Sequence, residues 1–290
     1  MDFRRNSRHT LPIVSAAVGL GTVLGLLHDP DRPNAASGAE VRRDTAAAVA
    51  AVPVPAPAPV SAPALKAARD VLAGVGIEGS ARRARVQTAL EVLDAEVAKQ
   101  SDPSALKLAF QAYYSYKEAH PEQVRKPYLY YVDYGLDATT PRGYVFDMER
   151  LEVVDGPFTV AHGRGSAPNS RGIPTRFSNR QGSNATSLGL FLAQETYGFR
   201  GKSGGRSYSS VGLRLKGVSG RFNSAARARG VVAHGAPYVT RSKAGRSEGC
   251  PAMEPGRARE LLPQIANGGL VFLFSPLERN WMSADPWANG

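Results

Sequence analysis

The sequence predicts a mainly β domain of sandwich or barrel-like type, preceded by a short helical segment. Three observations carry that reading. From Pro127 onward the apolar residues recur with a period of two. The segments with that period are short and are separated by clusters of Gly, Pro, Asn and Ser, the punctuation of turns. Helical spacing is confined to residues 80–120 and 255–265, and many short strands with few helices between them favour an antiparallel sheet architecture.

The chain opens with a basic patch, Arg4, Arg5 and Arg8, and then an uncharged apolar run from Leu11 to Leu27. This pattern reads as an export signal or a short membrane anchor; cleavage near Ala35–Ser37 and retention are both open, and either puts the bulk of the chain outside the cytoplasm. Residues 44–64 are Ala, Val and Pro in near alternation, with Pro53, Pro55, Pro57, Pro59 and Pro63. Such a segment is extended and semi-rigid, and reads as a stalk. Ser80 then fits the N-cap of a helix with Val86, Leu90, Leu93 and Val97 on one face. Asp102 and Pro103 start a second helix that buries Leu106, Phe110 and Tyr113, a face widened by Tyr114 and Tyr116. An aromatic cluster at this spacing reads as core. His120, before Pro121, reads as surface.

Strands are expected over Tyr128–Tyr134, Arg142–Met148, Leu151–His162, Leu190–Tyr197, Val211–Lys216, Val231–His234 and Gly269–Phe274. In the fifth, Val211, Leu213 and Leu215 point one way and Arg214 and Lys216 the other. A last helix fits Pro255–Ile265, ending near Asn267 and Gly268. Gly163–Ser187 has no period; a long irregular stretch in a compact domain is usually functional, and it is expected to line a substrate cleft. The boundaries are 1–37 for the signal or anchor, 38–65 for the linker, 66–120 for the helical accessory segment and 121–290 for the β domain.

With 290 residues and 42% apolar content, the chain can build one substantial core plus accessories. Its net charge of +11 is unevenly spread. Between Arg164 and Arg246 stand fifteen Arg and Lys residues against one acidic residue, Glu195. A solvated basic surface and a bed for an anionic polymer both fit. No aromatic RNA-binding signature, zinc finger or recognition helix accompanies the charge, so nucleic acid is not the expected partner.

Several chemistries lack their residues. Gly201–Ser203 reads GKS but has Thr196 where a phosphate loop needs its first Gly. There is no H-E-x-x-H, no C-x-x-C, no carboxylate cluster and no G-x-S-x-G, so no metal ligand set or serine elbow is evident. What remains is the only cysteine, Cys250, with His234 sixteen residues before it. A lone Cys in an exported chain is a buried small hydrophobe, an intermolecular link or a reactive thiol, and the spacing alone does not choose. Chemically, a thiol becomes a good nucleophile beside a base or a cation. His234 could be that base, and Arg246 could favour the thiolate or grip a substrate carboxylate. Gly249 permits close approach, and the Gly249 and Cys250 amides are candidate oxyanion donors. Pro251 could hold the Cys at the mouth of the following turn.

The order HGAPYV then GRSEGCPAM resembles the L,D-transpeptidase catalytic domain (YkuD-like) family, in particular the murein L,D-transpeptidase subgroup with the cysteine motif G-R-S-x-G-C-P-A. Upstream, YYVDYGLDATTPRGYVFDM, TVAHGRGS at 159–166, FSN at 177–179 and GSNATSLGLFLAQETY at 182–197 are similar too, so the likeness runs over roughly residues 104–276 in order. It implies a cysteine acyltransferase of the cell wall. The thiolate attacks the carbonyl after the L-centre of diaminopimelate in a peptidoglycan tetrapeptide stem, D-Ala leaves, and a second stem's amine or water resolves the acyl-enzyme. On this resemblance Cys250 is the nucleophile, His234 the general base and the Gly235 carbonyl its orienting group. Substrate contacts are expected from Arg246, Ser247, His162, Tyr238, Ser178 and Asn179, with His162 equally suited to bracing the sheet. No cofactor is implied. The partners are donor and acceptor stem peptides, no nucleic acid, and a membrane only through the N-terminal segment, which places the protein in the periplasm or cell envelope. Hydrolytic use of the same site and a non-catalytic wall-binding module are the alternatives. The sequence departs from the better-known S-H-G-C-x-R motif at Glu248 and Ala252. Arg246 is then a substitute for the absent Arg, and Glu248 either an acceptor-amine ligand or a solvated carboxylate.

Overall fold

A computed structural model describes residues 62–289. The export segment and all but the last residues of the expected linker lie outside them. Helix α1 (Ala62–Leu93) runs through Ser80, so Ser80 sits inside a helix and does not cap one. Pro63 is in its first turn, where a missing N–H is no loss, and the Ala- and Leu-rich sequence that follows propagates the helix. A short 3-10 turn, Asp94–Glu96, ends it, and Val97 follows in extended backbone while still buried. Helix α2 (Ala105–Ala119) starts where Asp102 Oδ1 accepts from the Ser104 amide and hydroxyl at 2.8 and 2.6 Å. Its buried face holds Leu106, Phe110, Tyr113, Tyr114 and Tyr116, the aromatic cluster expected as core. Among the described residues no helix is long and apolar enough to cross a membrane.

The strands are β1 (Tyr128–Asp133), β2 (Gly143–Asp147), β3 (Glu152–Phe158), β4 (His162–Gly163), β5 (Gly189–Ser203), β6 (Arg206–Gly217), β7 (Val232–Gly235), β8 (Val239–Thr240), β9 (Lys243–Ala244), β10 (Arg246–Ser247), β11 (Ala252–Met253) and β12 (Leu270–Phe274). Helix α3 (Pro255–Ile265) lies between β11 and β12, and α4 (Arg279–Ala284) follows β12. Eight strands form one sheet in the order β11-β7-β6-β5-β12-β1-β2-β3, and β10-β4 and β8-β9 form two small ribbons. The architecture is mainly β with a few helices. Pairing in the large sheet is antiparallel except at β1–β12 and β7–β11. The parallel β7–β11 pair requires the chain to cross over between those strands, and that crossover carries the Cys250 loop.

One apolar core joins α2, β1, β2, β5, β12 and α3. Central strand β12 is buried at all five positions, as its continuous apolar run LVFLF requires. Strands β5 and β6 exceed the expected length. Beyond their neighbours in the sheet they continue as a two-stranded hairpin closed at Gly204 and Gly205, whose φ angles of +55° and +78° suit the tight turn that twisted hairpins favour. The third expected strand, Leu151–His162, is not continuous: β3 stops at Phe158, and His162 begins a separate two-residue strand.

Candidate active site

The site is built where three short strands meet. Strand β7 ends at His234 and Gly235, and its parallel neighbour β11 pairs Ala252 with His234 and Met253 with Gly235. On its other side β11 is bridged by Ala161, whose amide donates to the Ala252 carbonyl at 2.8 Å. Upstream, β10 pairs Arg246 with His162 and Ser247 with Gly163. The turn 248–251 is therefore anchored at both ends and presents Cys250 beside the start of β7. The thiol lies 3.9 Å from the Gly230 carbonyl, and the Val232 amide points toward the sulfur.

His234 is 3% exposed, and its Nδ1 is 3.0 Å from the Gly235 carbonyl. A carbonyl oxygen only accepts, so Nδ1 carries the proton and Nε2 keeps a free lone pair. The imidazole stacks on Phe199 from the β5–β6 hairpin, with ring centres 4.1 Å apart and planes 18° apart. Burial pulls its pKa down to about 4, against the Gly235 hydrogen bond, so the ring is neutral at pH 7. The Cys250 thiol is pushed up to about 11, first by burial and then by Glu248; the Val232 amide and Arg229 act in the opposite sense. The resting pair is a neutral thiol and a neutral imidazole with an accepting nitrogen.

The turn itself depends on Ser247. Its hydroxyl donates to the Cys250 carbonyl at 2.7 Å and accepts from the Gly249 amide at 3.1 Å. Two expectations change. Ser247 is 5% exposed and closes the turn, so its hydroxyl is engaged within the protein. The Gly249 amide faces inward to Ser247, leaving the Cys250 amide alone of the two expected oxyanion donors. Gly249 has φ +124°, and a Cβ there would stand 3.0 Å from the Ala185 carbonyl, so only glycine fits without strain.

Of the expected substrate contacts, Tyr238 lies near the thiol. It is half-buried and packs edge-on against Tyr208 at 6.4 Å, and burial raises its pKa, with Tyr208 and the Cys250 thiolate adding to the rise. His162 does not reach a surface. It is fully buried and Nδ1 accepts from Arg142 Nη2 at 3.0 Å. Burial, Arg142 and Arg246 hold its pKa down to about 3, and it braces the sheet, one of the two roles expected of it. Arg246 Nη1 donates to the Ala167 and Pro168 carbonyls at 3.2 and 3.0 Å, directing it to that loop and His162. Asn179 is used on the neighbouring loop: Nδ2 donates to the Arg221 carbonyl and the Ser224 hydroxyl at 3.0 and 3.2 Å, and Oδ1 accepts from the Ala225 amide. The Ser178 carbonyl accepts from Arg229 Nη1 at 2.7 Å. These last two residues tie the 163–187 loop to the 221–229 segment. Glu248 accepts from Arg164 Nε at 2.7 Å across an exposed pair, so it is not an unpartnered carboxylate.

Four residues of the site went unread in the sequence: Phe199, Tyr208, Arg142 and Arg229. The Gly204–Gly205 pair is a hairpin signal that would have extended the fourth strand past Tyr197 to Phe199 and placed Tyr208 on the returning strand, opposite Gly201. Arg142 was visible only as the start of a strand. It is fully buried, donates to the Leu136 carbonyl at 2.6 Å and the Val160 carbonyl at 2.8 and 3.1 Å, and lies 4.7 Å over the Tyr134 ring. Burial draws its pKa down to about 10, and it remains charged at pH 7. Arg229 was one of fifteen basic residues with nothing to mark it. A cavity of about 630 Å³ lies away from this site, between α1, α2 and the β2–β3 turn, lined by Arg85, Tyr114, Met148 and Leu151.

The family model described as L,D-transpeptidase catalytic domain matches residues 97–274. No curated protein matches the chain. Solved structures similar to it include an L,D-transpeptidase from Mycobacterium smegmatis, at 15% identity and TM-score 0.32, covering 51% of this chain and 58% of that one. An L,D-transpeptidase from Stackebrandtia nassauensis has 14% identity and TM-score 0.32, covering 65% and 75%. A third, from Mycobacterium tuberculosis, has 13% identity and TM-score 0.30, covering 51% and 57%. The chain thus spans little more than half the length of the mycobacterial chains it matches, and these distant likenesses carry none of the assignment. The family model spans well over half of the sequence and includes β1 to β12 with the Cys250 turn, and the chain belongs to the L,D-transpeptidase catalytic domain family.

Proposed function

We propose that this protein is a peptidoglycan L,D-transpeptidase working through a Cys250 acyl-enzyme, exported or anchored by its N-terminal segment to the cell envelope. The observation that carries the reading is the Nδ1 contact of His234 with the Gly235 carbonyl, which leaves Nε2 as an acceptor on the strand paired with the Cys250 turn. As Cys250 Sγ attacks the stem carbonyl, His234 Nε2 takes the thiol proton, so the nucleophile forms as it is used. A C–S bond forms, the carbonyl oxygen takes up negative charge, and the Cys250 amide is the donor available to it. The tetrahedral intermediate collapses with loss of the C–N bond to D-Ala, which leaves with the proton from His234. The acceptor amine then attacks the thioester, gives its proton to His234 and forms the new amide. The sulfur departs and recovers the proton.

A neutral resting pair suits this sequence, because a base held at about 4 takes a proton only while the sulfur forms its new bond and the leaving group then receives it readily. The basic balance of residues 164–246 supports a carboxylate-bearing substrate, since stem peptides carry free carboxylates. Incubating the protein with tetrapeptide muropeptides tests the proposal. Cross-linked dimers with release of D-Ala are the expected products. Tripeptide monomers alone would assign the site to hydrolysis, and unchanged substrate with a Cys250 that resists alkylation would refute the enzyme reading.

A further inference from the structure

We infer that Arg229 is a positioning residue for the nucleophile: it ties the 178–187 loop to the cysteine turn and supplies the unneutralised positive charge that favours the Cys250 thiolate. The inference rests on Cys250 as the nucleophile. Its first support is placement. The Gly230 carbonyl, one residue after Arg229, is the acceptor 3.9 Å from the Cys250 sulfur. From the other side, a Cβ on Gly249 would stand 3.7 Å from Arg229 Nη2 and 3.0 Å from the Ala185 carbonyl. The guanidinium therefore lies against the residue preceding the thiol, with the Ala185 backbone as the third member of the contact.

The second support is the set of partners. Nη1 donates to the Ser178 carbonyl at 2.7 Å and to the Ser187 hydroxyl; Nη2 donates to the Ala185 carbonyl at 2.8 Å and the Ser183 hydroxyl at 3.1 Å. All four acceptors are neutral, and among the described residues no carboxylate pairs with Arg229. Its neighbours in the basic run differ: Arg214 and Arg227 share Glu195, and Arg164 holds Glu248. A half-buried cation whose bonds all end on neutral oxygens keeps its field for the nearest ionisable group. Consistently, burial lowers the Arg229 pKa while the Cys250 thiolate raises it.

The other groups facing the thiol act differently. Glu248 disfavours the thiolate, but its carboxylate is held by Arg164. His234 is neutral, and Tyr134, Tyr197, Tyr208 and Tyr238 have pKa values raised by burial, so all four phenols are uncharged at pH 7. Among the described residues, Arg229 is the one cation among the groups that act on the thiol. Arg246, expected to favour the thiolate, is bonded to the Ala167 and Pro168 carbonyls instead, and Arg229 brings a cation to the thiol from a different segment of the chain.

The test is the pH dependence of iodoacetamide alkylation of Cys250, which needs no peptidoglycan and so reads independently of whether the proposed reaction occurs. Arg229→Gln is expected to raise the midpoint by about one unit and to slow alkylation at pH 8 about tenfold, as for loss of a neighbouring opposite charge. Arg229→Lys keeps the charge and loses the fork, and is expected to stay within about 0.3 units of the parent while melting at a lower temperature. A folded Arg229→Gln protein with the parent's profile overturns the inference, as does an equal upward shift in both variants. Should Arg229→Gln fail to fold, Arg229→Lys decides alone: a midpoint near the parent's supports the charge, and a rise of a full unit refutes it.

Discussion

Replacing Phe199 with Ala isolates the role of the hairpin in tuning the base. Phe199 covers one face of the His234 imidazole at 4.1 Å, so the protonated ring would be desolvated there, and among the described residues no charged group offsets that burial. The drop from the ordinary 6.5 to about 4 corresponds to about 3 kcal/mol of disfavoured protonation, at ~1.4 kcal/mol per unit. Removing the ring admits water to that face, while the Gly235 bond and the β7 backbone remain. Recovery of about half the drop is expected, which brings the His234 midpoint above 5. Titration of the His234 ring proton by NMR reads this directly, and the acid limb of the activity profile is expected to move by the same amount. The same shift has a stability signature. His234 is neutral when folded down to about 4 but protonates near 6.5 when unfolded, so below pH 6.5 the unfolded state binds the extra proton. The parent therefore loses stability as pH falls from 6.5 to 4, by up to about 3 kcal/mol from this residue, and Phe199→Ala loses less over that window. A His234 midpoint that stays near 4 in a folded Phe199→Ala protein would refute the role given to the stack.

Other perturbations have defined outcomes. Arg142→Met leaves the Leu136 and Val160 carbonyls and His162 Nδ1 buried without their donor, and is expected to cost about 3 kcal/mol or more, a fall in Tm of roughly 6–12 °C. Ser247→Ala removes both bonds that close the cysteine turn; a loss of about 2 kcal/mol in thermal stability is expected, with kcat falling more than KM rises. Gly249→Ala forces a side chain into φ +124° and against the Ala185 carbonyl, and is expected to destabilise by about 1–3 kcal/mol and to slow Cys250 alkylation.

The parts of this fold legible in the sequence are those set by local pattern. The period-two runs around Tyr131 and Phe272, the Pro255 helix start and the Phe110–Tyr113 face are dictated by which side of an element must leave water, and all became elements near their expected bounds. Long-range placement was less legible. The expected Ser80 cap failed because the preceding Ala- and Leu-rich residues are themselves good helix formers, and a capping residue inside such a run caps nothing. Ser247, His162 and Asn179 were expected at the substrate because motif position does not reveal where a side chain points; their polar groups were taken by the turn, by Arg142 and by the 221–225 loop. Arg229 and Arg142 carry no local signal at all, since only the assembled fold makes one basic residue half-buried beside a thiol and another wholly buried under a strand. The pairing of His234 with the Cys250 turn was an inference from order in the chain, and it is the parallel register of β7 and β11 that makes it physical.

In the proposed reaction Cys250 carries the acyl group and His234 is its base. Intact-mass measurement of the protein mixed with a tetrapeptide stem, followed by peptide mapping, tests it most directly. The expected result is an adduct of the stem minus D-Ala on Cys250, labile to hydroxylamine as a thioester is, absent from Cys250→Ala and strongly slowed in His234→Ala. An adduct on another residue, or cross-linked product formed at the parent's rate by Cys250→Ala, would contradict it.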